Sequence, residues 1–240
     1  MDLLLERDHS VVGEFLRNNP GLSRDAQAHL QAEVRWHLSQ HYYAKLAAEP
    51  VLEELLRHVP DEKTGRYLAG QIPEELDHAA RYRELLECYG IETQARWYGD
   101  HVRDMVICAD GPAEKIFIFQ VLARGVAKAR LDWRLTAVHG AAIQAVDEAV
   151  RRDELRYLRR GKPMLHYCAA AGFPLRENVA RRALGEMLDV CRQGRQEMLE
   201  WIFSAAGSWN MGFSTPLDRS IGRTLTRLVD QRDLLHREAV

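Results

Sequence analysis

Sixteen glycines and eight prolines gather at a few points of this 240-residue sequence. Between them run long stretches of Ala, Leu, Glu and Arg, the strongest helix formers. No run alternates apolar and polar β-branched residues, the pattern that a half-buried strand needs. The chain is therefore expected to be all-α. At this length a single core can form without staples, so residues 1–240 read as one helical domain.

The punctuation divides the helices. After the turn Asn18-Asn19-Pro20-Gly21, Ser23 is placed to cap a first helix over 23–48. Pro50 then starts a short helix over 51–58. Pro60-Asp61-Glu62 opens a helix that stops at Gly90, with Pro73 expected to kink or divide it. Residues 91–111, carrying Trp97, Tyr98 and His101, read as a connection. Gly111-Pro112 opens a helix over 112–138. After His139-Gly140 another covers 141–160, ended by Gly161-Lys162-Pro163. A long helix over 177–206, a loop over 207–216 and a last helix from Leu217 complete the chain. Residues 22–160 are thus the expected core bundle, and 161–240 accessory helices.

Charge and composition exclude several function classes. Thirty-three Lys and Arg against thirty-five Asp and Glu leave −2, without the basic excess of a nucleic-acid binder. No apolar run approaches the roughly 18–20 residues that span a bilayer. The N-terminal Met1-Asp2-Leu3-Leu4-Leu5-Glu6-Arg7-Asp8 is too acidic for a secretory signal. Cys88, Cys108, Cys168 and Cys191 are far apart and read as reduced core thiols, so a cytoplasmic protein is expected. No nucleophile elbow, phosphate loop or dinucleotide fingerprint occurs.

The chemistry gathers at a Glu-x-x-His unit. Glu75 and His78, three apart on a helix, share a face and can aim a carboxylate and an imidazole at one point. Measured from a first helix ending near residue 48, Glu33 is level with Glu75, and it heads a stripe continued by His37 and His41. In the second pair Glu154 is level with Arg124, and the position three after Glu154 is Tyr157. Glu74-Glu75-Leu76-Asp77-His78 and Asp153-Glu154-Leu155-Arg156-Tyr157 form a weak internal echo.

On these residues the chain resembles the ferritin-like di-iron carboxylate superfamily, over roughly residues 22–160. The resemblance implies an antiparallel four-helix bundle that binds iron between its helices. It implies Glu33, Glu75, His78 and Glu154 as metal ligands, with His37 beside them. Arg124 and Tyr157 depart from the pattern and are assigned to the site as substitutes for missing ligands or as groups that support them. The implied function is an oxidase or oxygenase. It would use mono- or dinuclear iron, or manganese, with dioxygen as co-substrate, on a small organic molecule in a biosynthetic pathway.

A second resemblance competes. Gln40-His41-Tyr42-Tyr43-Ala44-Lys45, followed by Glu74-Glu75 and His78, is similar to the haem-oxygenase-like oxidases. A reading from another class stays open beside both: a metal-free helical bundle acting as a binding or scaffold subunit, which Arg124 and Tyr157 favour. The basic run Arg159-Arg160-Gly161-Lys162 would suit a carrier-bound or phosphorylated substrate. The aliphatic stripe of 177–206 would suit the core or a homodimer interface.

Overall fold

The computed structural model describes residues 24–59, 61–91, 93, 97–136, 140–206 and a few positions between 221 and 227. All its secondary elements there are helical, as the composition requires. They are α1 (Arg24–His58), α2 (Glu62–Cys88), α3 (Tyr98–Cys108) and α4 (Pro112–Ile116), then a π-helical segment (Phe117–Ala123) running directly into α5 (Arg124–Thr136), and α6 (Ala141–Ala170) and α7 (Glu177–Ala206). The expected cap at Ser23, the loop over 207–216 and most of the last helix lie outside the described residues. No described helix is long and apolar enough to cross a membrane.

Local chemistry sets the ends of α2. Asp61 caps its N-terminus, its carboxylate accepting the Thr64 N–H at 2.8 Å. At the other end Gly90 turns with φ 59°, and the Ile91 N–H reaches back to the Leu86 carbonyl at 2.8 Å.

Proline and glycine stop fewer helices than their chemistry alone suggests. α1 does not end near residue 48 but continues through Pro50 to His58, because Val51, Leu52 and Leu55 beyond the proline are buried in the core. α2 likewise continues through Pro73. α6 passes Gly161-Lys162-Pro163 and reaches Ala170, holding Met164, Leu165 and Cys168 inside. The boundary expected at residue 160 therefore falls within a helix. The 91–111 connection contains α3, whose Tyr98, Val102 and Val106 recur at helical spacing and are buried. In each case apolar burial outweighs a local breaker.

α1 and α2 run antiparallel, as do α6 and the helix formed by α4, the π segment and α5. Leu52, Leu55, Leu68, Phe117 and Leu122 belong to one apolar core. Val34, Leu38, Tyr82, Leu131 and Val150 belong to a second. α7 packs over α1, α3 and the π segment. Gly161 lets α6 approach the π segment closely: a Cβ there would stand 2.9 Å from the Gln120 carbonyl oxygen. All four cysteines are free, but only Cys168 is buried, and Cys88 and Cys108 are exposed.

Candidate functional site

Every fourth residue of α1 from Glu33 to Lys45 is polar and buried. Glu33, His37, His41 and Lys45 are each no more than 4% exposed. The stripe therefore faces into the bundle, and it carries one more member than Glu33, His37 and His41. Thirteen residues back from the end of α1 at His58 is Lys45, and thirteen forward from the start of α2 at Glu62 is Glu75. The residue level with Glu75 is thus Lys45, not Glu33. The expected pairing used a helix end near residue 48, and the continuation through Pro50 moves the register by about three turns. Glu33 lies twelve residues before Lys45, roughly 18 Å along the axis. Its neighbour there is His37, at 3.8 Å, and His37 in turn packs on the Trp133 ring.

Four helices meet at the level of Glu75. Lys45 Nζ lies 2.9 Å from Glu75 Oε2 and also pairs with Glu154 Oε1. Arg124 Nη1 lies 2.6 Å from Glu75 Oε1 and 3.2 Å from Glu154 Oε1, with Glu154 Oε2 at 3.4 Å. The other terminal nitrogen of Arg124 donates to Gln71 Oε1 at 2.9 Å, and Gln120 Nε2 donates to the same oxygen at 3.0 Å. The guanidinium lies 4.4 Å from the rings of both Phe119 and Tyr157. Lys45, Glu75, Arg124 and Glu154 thus form a buried quartet of two cations and two anions. Arg124 takes the position inside the bundle beside Glu154 that its level in sequence predicts.

The π segment supplies part of this geometry. Phe119 and Gln120 lie within it, and Arg124 follows its last residue. Such wide turns are frequent at functional sites. The two hairpins also repeat one spacing: thirty residues separate Lys45 from Glu75, and thirty separate Arg124 from Glu154. The weak echo around the two glutamates extends in this way to the two cations.

Burial would push the Glu75 carboxyl up, but the Arg124 guanidinium and the Lys45 ammonium overcome it and hold the group at about 2. Burial works to lower the basicity of Arg124, and Glu154 and Glu75 reverse this. His78 shares the face of Glu75 as the spacing predicts, its Nδ1 at 4.0 Å from Glu75 Oε2. Its Nε2 pairs with Asp153 at 3.0 Å. Burial first, and then Lys45, lower its pKa, so it is neutral at pH 7. Tyr157 directs its hydroxyl away from Glu154, donating to Glu74 Oε2 at 2.6 Å. Burial raises its pKa and keeps the phenol protonated.

A second polar layer lies about two turns along the bundle, with Tyr82 and Asp147 each seven residues from Glu75 and Glu154. Arg134 pairs with Asp147, its Nε at 2.7 Å from Oδ2, and Tyr82 donates to Asp147 Oδ1 at 3.0 Å. His41 sits beside Arg134, with Nδ1 3.1 Å from Nη1. Burial and the charges of Arg134 and Arg130 depress its pKa well below the usual value. Between α1, α3 and α5, bordered by Lys45, Arg124 and Glu154, lies a cavity of about 40 Å³.

The sequence signal for Lys45 was the continuation of the i, i+4 stripe. Gln71 and Gln120 stand four residues before Glu75 and Arg124, the same spacing, whereas no such pattern marks Arg130, which reads as an ordinary polar residue of an amphipathic helix.

The donor set does not fit the iron centre that the resemblance implies. All four oxygens of Glu75 and Glu154 lie within 3.4 Å of a Lys45 or Arg124 nitrogen, and cations stand on the two helices that would supply further carboxylates. Among the described residues, no three His, Cys, Asp or Glu side chains are arranged to hold a metal ion. Comparison of the chain with known protein families and with curated proteins gives no match in either.

Proposed function

We propose that this chain is a metal-independent helical bundle of ferritin-like architecture that serves as a binding subunit. One observation carries the reading: Lys45 and Arg124 close the charge of Glu75 and Glu154 from within the protein. Two positive and two negative charges leave no excess of anionic donors to attract a metal. A divalent ion would have to displace a buried ammonium or guanidinium that already contacts both carboxylates. The cavity bordering the quartet supports a binding role.

The test is metal retention. Full-length protein incubated anaerobically with iron(II), desalted and assayed by elemental analysis is expected to retain no stoichiometric iron, and the same holds for manganese. One or two retained ions per chain would overturn the reading. That result would favour iron- or manganese-dependent oxidation of a small substrate with dioxygen. The observation on its side is Nδ1 of His78, which is buried beside Glu75 without a hydrogen bond.

A further inference from the structure

We propose that the cavity between α1, α3 and α5 is a receptor for a short-chain monocarboxylate, with Arg130 as its anion-binding residue. Five cationic side chains are buried among the described residues: Lys45, Lys115, Arg124, Arg130 and Arg134. Four of them have a carboxylate. Lys45 and Arg124 share Glu75 and Glu154, Lys115 holds Glu54 at 3.0 Å, and Arg134 holds Asp147. Arg130 has none among the described residues. It is 8% exposed, and among the described residues its Nε makes no hydrogen bond and its guanidinium stands against the face of the Tyr98 ring, 4.2 Å from Cζ. A desolvated guanidinium without a counter-ion is unfavourable, so an arriving anion gains the pairing that the fold withholds.

Arg130 lines the cavity. Because the quartet neutralises itself, Arg130 leaves the lining with one net positive charge, which matches a monoanion. A planar carboxylate fits the two-pronged guanidinium, whereas a tetrahedral dianion would carry surplus charge inside. The volume of about 40 Å³ holds roughly three waters, the scale of a two- to four-carbon acid. Ala44, Ala48, Val51 and Val102 give the chain of such an acid apolar walls. This inference rests on the proposed metal-independent binding role, since a metal at Glu75 and Glu154 would release Lys45 and Arg124 and change the charge of the lining.

Calorimetric titration of the full chain with sodium acetate, against sodium chloride and phosphate at matched ionic strength, tests it. The expected result is one saturable acetate site with a dissociation constant on the order of millimolar, and no site for chloride or phosphate. Arg130→Gln is expected to weaken acetate binding about tenfold or more. Ala127→Leu keeps Arg130 but fills the cavity, and is expected to abolish binding. Should Arg130→Gln fail to fold, Arg130→Lys retains the charge without the fork and is expected to bind several-fold more weakly. Absence of an acetate site in the wild type, unchanged binding in any folded variant, or equal binding of chloride or phosphate would overturn the proposal. Iron retention reads Glu75 and Glu154, while acetate binding reads Arg130. The two proposals therefore fail separately.

Discussion

Arg124 makes its shorter bond across the bundle, 2.6 Å to Glu75 of the other hairpin, although its own hairpin offers Glu154 at 3.2 Å. Lys45 likewise contacts both carboxylates. The two hairpins are therefore joined by exchanged partners at a point without access to solvent.

Removing one member of this arrangement leaves buried charge without compensation. Glu75→Gln, which keeps the shape, is expected to destabilise the protein by about 3–5 kcal/mol. Urea denaturation should show a lower midpoint with an unchanged slope. A loss under about 1 kcal/mol would mean that water reaches the cluster.

Acid should dissolve the same interaction. The Glu75 carboxyl stands at about 2 in the folded protein against an ordinary 4.5. A depressed folded value contributes stability above about 4.5 that is lost as the pH falls through about 2. The shift corresponds to roughly 3 kcal/mol. The difference in stability between wild type and Glu75→Gln should therefore be widest at neutral pH and shrink between about pH 4.5 and 2. A difference constant over that window would disprove the linkage.

Exchanging the cations for carboxylates should reverse the metal preference. Lys45→Glu combined with Arg124→Glu gathers four carboxylates next to His78. Without metal the variant is expected to be strongly destabilised by like charges. Iron(II) or manganese(II) should raise its melting temperature in a concentration-dependent way while leaving the wild type unchanged. Equal responses from both proteins would show that the two cations do not govern metal binding.

Two helical glycines should respond to alanine with opposite signs. At Gly161 the new Cβ would meet the Gln120 carbonyl oxygen at 2.9 Å, and backbone cannot move aside as a flexible side chain can. Overpacking of about 1–3 kcal/mol outweighs the roughly 1 kcal/mol gained in helix propensity, so Gly161→Ala is expected to destabilise. Gly185 has nothing within 4 Å of its Cβ position, and Gly185→Ala is expected to stabilise by up to about 1 kcal/mol. Thermal melts of the two variants check both signs.

Much of the architecture was legible because helical composition and spacing are local properties. Asp61 and Gly90 end α2 where their chemistry places them. Glu75 and His78 share a face because three residues make most of a turn. The level of Arg124 with Glu154 followed from counting within one hairpin. The same counting failed for Glu33 because it trusted Pro50 as a stop. The burial of Val51, Leu52 and Leu55, which holds the helix together past that proline, is a tertiary fact. Arg130 was illegible for a related reason. An arginine on an amphipathic helix normally reaches water, and only the Tyr98 ring standing against its guanidinium shows that this one is buried instead.

The equal spacing of thirty residues within each hairpin has a consequence for assembly. Lys45 and Glu75 form a neutral pair on α1 and α2, and Arg124 and Glu154 form another on α5 and α6. Within the quartet neither half needs the other to balance its charge, and docking them only trades partners there; the buried Lys115 of the second half, by contrast, takes its carboxylate, Glu54, from the first. The quartet is thus built from two pairs that each balance their own charge, while residues 1–90 as a whole carry −6 and residues 91–240 carry +4, so fragments separated between α2 and α3 attract one another and are expected to reconstitute the bundle when mixed.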